Sequence, residues 1–145
     1  MEATTNPLTR EDIPEEAKWD LDGLYLKESL WQEDIKKLEK DLAGYESFKG
    51  TLASSAENIK SCLEFDVSIS RAIEKLYTYA HLRNDEDKTN SQNQSNFEKI
   101  VRLHTLAAQA SSYIASELMA ISEDQMHQFL KDKQLDYYKL HLERI

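Results

Sequence analysis

From Ile59 to Ala80, apolar residues return at helical spacing through Ile59, Cys62, Leu63, Ile69, Ile73, Leu76, Tyr77 and Ala80. A half-buried strand would alternate at every second residue, so this stretch can only be laid on one face of a helix. Ser54 with Glu57 is a capping-box pattern that predicts the helix start, and the pattern runs to about Leu82. Phe65, Ala72 and Tyr79 widen the stripe on one flank. Leu82 falls on the otherwise polar side, taking about 100° per residue. The end of this helix is therefore expected to be touched from more than one side. Asp66 is the one acid near the middle of the stripe. It belongs either at a half-exposed flank or in a buried pair with a base, which full burial would demand.

The rest of the chain carries the same period. Ser29 with Gln32 predicts a first helix bearing Trp31, Ile35, Leu38, Leu42 and Tyr45, with Gly44 at its fraying end. Thr89 with Gln92 predicts a third, continuous to about Ala120. One face of it is Phe97, Ile100, Val101, His104, Ala107, Ala108, Ser111, Ile114 and Leu118; Leu103, Leu106, Ala110 and Tyr113 form a second stripe. A helix apolar on two sides is expected between neighbours, so this one is the candidate centre of the fold, and its Ala and Ser would admit a partner closely. The tract from Asn90 to Asn96 reads as a polar helix start. Ser122 with Gln125 caps a short helix carrying Met126, Phe129 and Leu130, and Leu135, Tyr138, Leu142 and Ile145 lie in helical register after it. That last helix reads as interrupted.

Three Gly and two Pro among 145 residues leave little material for the turns of a β-rich fold. The expected architecture is all-α. An irregular arm over residues 1–28 is followed by a helical domain over 29–145, a bundle of four to five helices with two long antiparallel ones. The arm holds Ile13, Trp19, Leu21, Leu24 and Tyr25 and is too apolar to float free; its aromatics are expected to anchor it. The first seven residues lack the basic start and apolar stretch of a signal peptide. The single cysteine, Cys62, cannot form an internal disulfide, which fits a reducing cytoplasm, and its place on the apolar face points to inert packing. A net charge of -9, with bases interleaved among acids, argues against nucleic acid, and no apolar run approaches a membrane span.

Little in the sequence points to chemistry. His81, His104, His127 and His141 are each too far from the next to share a helical turn, so no two can hold a metal in the manner of His-Glu-x-x-His. His104, on the apolar face, is expected to meet a backbone or acidic partner. The acids from Asp85 to Asp87 faintly suggest a calcium loop. Asn90 stands where that loop needs Gly, however, and Asn96 where it needs the bidentate Glu. A corner between helices is the better reading, with the acids favoured by the following helix dipole and Arg83 clamping one of them. No catalytic, cofactor-binding or metal-ligating residue is assigned.

Three blocks, in order, carry a resemblance. The first is Ile13-Pro14-Glu15 leading to Lys18-Trp19-Asp20-Leu21 and Leu24-Tyr25, with Gly23 where a polar residue is expected. The second is Tyr77-x-Tyr79-Ala80-x-Leu82-Arg83-x-Asp85-Glu86-Asp87. The third is Leu135, Tyr138 and Leu142-Glu143-Arg144-Ile145. Together they resemble the N-terminal region of oligoendopeptidase F, a zinc metallopeptidase family of the thimet-like superfamily. The resemblance implies a cytoplasmic enzyme that cuts short, unfolded peptides inside a deep channel. Its zinc and catalytic helix would lie downstream, in a catalytic domain beyond this segment that would be its partner. The segment itself would pack on that domain, help form the channel wall, bind no zinc and be inactive alone. A free-standing, non-catalytic helical interaction module is the competing reading.

Overall fold

The computed structural model describes residues 8–145; the start of the arm, with the reading that it carries no signal peptide, lies outside the described residues. The fold is all-α. Six α-helices occur among the described residues: α1 (Glu28–Asp41), α2 (Ala56–Glu86), α3 (Ser91–Ser111), α4 (Tyr113–Ala120), α5 (Glu123–Phe129) and α6 (Lys139–Leu142). Single 3₁₀ turns punctuate the arm at Arg10–Asp12 and Glu15–Ala17.

The long helices α2 and α3 pack side by side as an antiparallel hairpin. Tyr77 meets Phe97 near the corner, with ring centroids 5.4 Å apart, and Ile69 faces Ala107 and Ala108 farther along. The centre of the molecule is α2, not α3 as the two-sided pattern suggested. It buries Ile59, Cys62, Leu63, Ile69, Ile73, Leu76, Tyr79 and Ala80 against α1, α3 and the 3₁₀ segments Leu52–Ser54 and Lys133–Tyr138. By contrast α3 has one buried stripe, through Asn93, Asn96, Ile100, Leu103 and Ala107, drawn from both predicted stripes. Val101 and Leu106 flank it in solvent.

The predicted third helix is divided at Ser112. Its N–H bonds back only three residues, to the Gln109 carbonyl, and its hydroxyl donates to that same carbonyl at 2.8 Å. Serine side chains that compete for helix carbonyls in this way bend or break helices. Three of the four predicted caps also move. Ser29, expected to cap α1 with Gln32, lies inside the helix: α1 starts at Glu28 without a side-chain cap, and Gln32 turns to Glu28 and Asn96. Ser54 is used in the 3₁₀ turn that buries Leu52, so Ser55 caps α2 by accepting from the Asn58 N–H at 3.1 Å. Thr89 is held by Asp87, leaving Asn90 to accept from the Gln92 and Asn93 N–H groups. Only Ser122 caps where expected, over Gln125 at 3.4 Å.

Of the arm's aromatics Tyr25 is the anchor. It is buried edge-on against Tyr79 at 5.2 Å, and its hydroxyl donates to Asp34 Oδ2 at 2.7 Å. Trp19 is exposed. The same asymmetry reverses Tyr77 and Tyr79: Tyr79, expected on the flank, is buried by Tyr25 and Trp31, while Tyr77 is partly open. The terminal stretch begins as 3₁₀ and burying Leu135 and Leu142 leaves Ile145 exposed.

Gly44 does not end α1. The chain tightens into a 3₁₀ segment, Leu42–Ser47, and Gly44 sits inside it because the Phe65 ring crosses its Cα. A Cβ there would lie 2.7 Å from Phe65 Cζ, and that ring is wedged between Tyr45 and Phe48. Gly44→Ala relieves unfolded-state entropy worth about 0.4–1 kcal/mol but overpacks the site at about 1–3 kcal/mol. The expected net result is a loss of about 1–2 kcal/mol in urea denaturation; a gain in stability would show that the Phe65 ring yields freely.

Candidate functional surface

The α2–α3 seam carries an open groove. Ala107, Ala108 and Ser111 on α3 face Ile69, Ser70 and Ile73 on α2. Beside these small side chains the seam opens into a groove of about 520 Å³. Its floor is apolar, and Ser70, Thr78 and Ser111 supply hydroxyls along the walls. The carboxylates of Asp66 and Glu74 line it, and no Lys or Arg does.

One end is closed by a chain of hydrogen bonds. Tyr45 donates to Asp66 Oδ1 at 2.7 Å, and Tyr113 donates to the Tyr45 carbonyl at 2.7 Å. Asp66 is thus half-buried at the flank, as the first of its two readings held, and its partner is a phenol instead of a base. Burial, then the neighbouring carboxylate, pushes the Tyr45 hydroxyl well above its ordinary range. Cys62 is fully buried with Sγ 4.0 Å from the Tyr113 hydroxyl, and burial raises its thiol pKa, so it packs as an unreactive side chain. At the other end Tyr77, His81 and Phe97 stack together, with centroids 5.4 to 5.7 Å apart.

The corner beyond that cluster is tied by charge. Glu86, whose side chain is only 3% exposed, accepts from Arg10 at 2.7 Å and from Arg83 at 3.0 Å. Two guanidiniums on one buried carboxylate supply the pairing that its desolvation demands. Arg83 therefore clamps an acid as expected, and Arg10 fastens the arm to the same point. Asp85 is engaged by His81 Nδ1 at 3.1 Å and by Lys88, and the Lys88 contact holds its carboxyl below the usual range. Asp87 is likewise lowered, by the Thr89 hydroxyl and N–H. Each acid of this corner is occupied by a protein partner.

The polar tract before α3 has more structure than its composition suggested. Asn93 donates to the Arg83 carbonyl at 2.8 Å. Asn96 donates to Glu28 Oε1 at 2.9 Å while its own Oδ1 accepts from Gln32 and Gln92. These buried amides join the starts of α1 and α3 to the end of α2. Their spacing of three, in line with Ile100 and Leu103, was the available signal.

The histidines stay apart. His104 is exposed and lines the groove, correcting its expected place on the buried face; His127 and His141 are also exposed. Among the described residues no three His, Cys, Asp or Glu side chains come together to hold a metal ion. The donors present here do not fit a zinc site.

No protein-family model matches the chain. Oligopeptidase PepF of Bacillus subtilis is 31% identical over 137 residues, which is 94% of this chain and 20% of that protein. The plasmid oligoendopeptidase F of Lactococcus lactis subsp. cremoris is 30% identical over 126 residues, 86% of this chain and 21% of that one. In the crystal structure of oligoendopeptidase-F from Enterococcus faecium, 81% of this chain matches 23% of that chain at 29% identity, with a TM-score of 0.71. The chain spans about one fifth of the length of these curated relatives. Sequence and fold thus agree, along nearly all of this chain, in matching oligoendopeptidase F proteins, and the chain fits an N-terminal region of that family.

Proposed function

We propose that this segment is the non-catalytic helical part of a cytoplasmic zinc metalloendopeptidase that hydrolyses short oligopeptides. On this reading residues 1–28 are an arm and residues 29–145 a helical domain. Zinc and the catalytic residues belong to a downstream catalytic domain of the same polypeptide, and the segment supplies part of the wall of the substrate channel. The observation that carries the reading is the match of most of this chain to about one fifth of peptidases whose names describe action on oligopeptides. A long open groove on the α2–α3 hairpin supports a wall-forming role, since peptide-contacting surfaces are concave and largely preformed.

The chain alone, supplied with zinc and a quenched fluorescent oligopeptide, is expected to release no fluorescence and to retain no stoichiometric zinc after dialysis. Hydrolysis that a chelator abolishes would overturn the non-catalytic assignment. Sequencing beyond Ile145 at the native locus tests the rest: an open frame encoding His-Glu-x-x-His supports it, and a stop codon contradicts it.

A further inference from the structure

We propose that the α2–α3 groove receives a basic side chain of an oligopeptide, its aliphatic stem on the helix seam and its cation beside Glu74. This rests on the reading of the segment as part of an oligopeptide-handling enzyme and specifies which peptides its wall would favour.

The groove is asymmetric in charge. Both of its carboxylates stand on α2; Asp66 is taken by the Tyr45 hydroxyl and Glu74 is not, and His104 of α3 lines the groove while neither Lys nor Arg does. The floor between the carboxylates is apolar, formed by Ile69, Ile73 and Ala107. A Lys or Arg matches that sequence of surfaces: a hydrocarbon stem that lies on apolar atoms and a head that seeks an anion. Tyr77 at the open end is partly exposed and offers a ring face of the kind that attracts cations. The groove's volume, about 520 Å³, falls in the range of sites that enclose a small ligand. The net charge of -9 adds a long-range field that draws cationic peptides toward the segment. An acidic or neutral side chain would find the same floor and lack its counter-charge.

The test uses two oligopeptides identical except for one position, Lys in one and norleucine in the other, titrated into the chain and followed by backbone-amide NMR. Saturable shifts at Ile73, Glu74, Tyr77 and Ala107 are expected, with the Lys peptide bound about fivefold more tightly, the scale of a solvent-exposed ion pair. Glu74→Gln, at an exposed position, should erase that difference and leave the norleucine peptide unaffected, and added salt should narrow it. Equal affinities, or a difference that survives Glu74→Gln, overturn the proposal; if the groove residues still shift, the wall reading stands. Shifts confined to other surfaces overturn the proposal and count against the wall reading as well. Groove shifts that grow with protein concentration in the absence of peptide would assign the surface to a second copy of the chain, and would likewise overturn it.

Discussion

Replacing Trp31 by alanine is expected to remove about 3–5 kcal/mol of stability, the usual cost of deleting a fully buried Trp or Phe. Trp31 has no exposed surface, and its indole N–H donates to the Leu76 carbonyl at 2.9 Å. It therefore fills the junction of α1 and α2 and fixes their register by one directed bond. A domain of this size has a total stability of about 5–15 kcal/mol, so the loss consumes a large share of it. Trp31→Phe keeps most of the ring and loses the donor, which predicts a smaller loss of about 1–2 kcal/mol. Urea denaturation followed by far-ultraviolet circular dichroism measures both. Because the only other tryptophan, Trp19, is exposed, a Trp19→Phe background leaves Trp31 fluorescence as a direct report of this junction. A Trp31→Ala variant as stable as the parent would show that α1 docks independently of this ring.

The stripe that contains Trp31 was legible in the sequence because it is a local pattern. Trp31, Ile35, Leu38 and Tyr45 are all buried as their spacing requires. What the pattern cannot show is which flank of a wide stripe a distant segment covers. Tyr77 and Tyr79 stand about 200° apart on α2, one on each side of the seam. Tyr79 is buried because Tyr25 of the arm and Trp31 arrive from the far end of the sequence. The same limit misplaced the centre of the fold. Val101 and Leu106 made α3 look sandwiched, yet they face solvent, while α2 takes neighbours on several sides. Caps failed where an adjacent residue offered the same chemistry: Ser54 and Ser55, or Thr89 and Asn90, differ only in which one the preceding turn has already used. The candidate groove was the least legible element. Ala and Ser on α3 admit a partner helix closely, and whether a groove also opens beside them depends on the partner's side chains.

Raising the pH past the ordinary tyrosine value is expected to unfold the chain cooperatively. Three hydroxyls hold structure: Tyr25 donates to Asp34, Tyr45 to Asp66 and Tyr113 to the Tyr45 carbonyl. Burial is the first cause that raises each of them above 10.0; an adjacent carboxylate adds to it for Tyr25 and Tyr45. In the unfolded chain these phenols ionise near 10.0, whereas in the folded chain they keep their protons to higher pH. Above that value the unfolded state binds fewer protons, so stability falls with each further rise in pH. Below it, the contribution of these groups is fully present. For the two buried phenols, Tyr25 and Tyr45, the loss is up to about 1.4 kcal/mol per pH unit apiece, and less for the more open Tyr113. In a background with the exposed Tyr77 and Tyr137 replaced by Phe, tyrosinate absorbance and helical circular dichroism should therefore change together in one transition. Tyr25→Phe should move that transition to higher pH while weakening the arm's hold at neutral pH by about 1 kcal/mol. Gradual ionisation near 10.0 in that background, with the helices intact, would mean that these hydroxyls exchange freely with solvent, and that the arm and the closed end of the groove are held by packing alone.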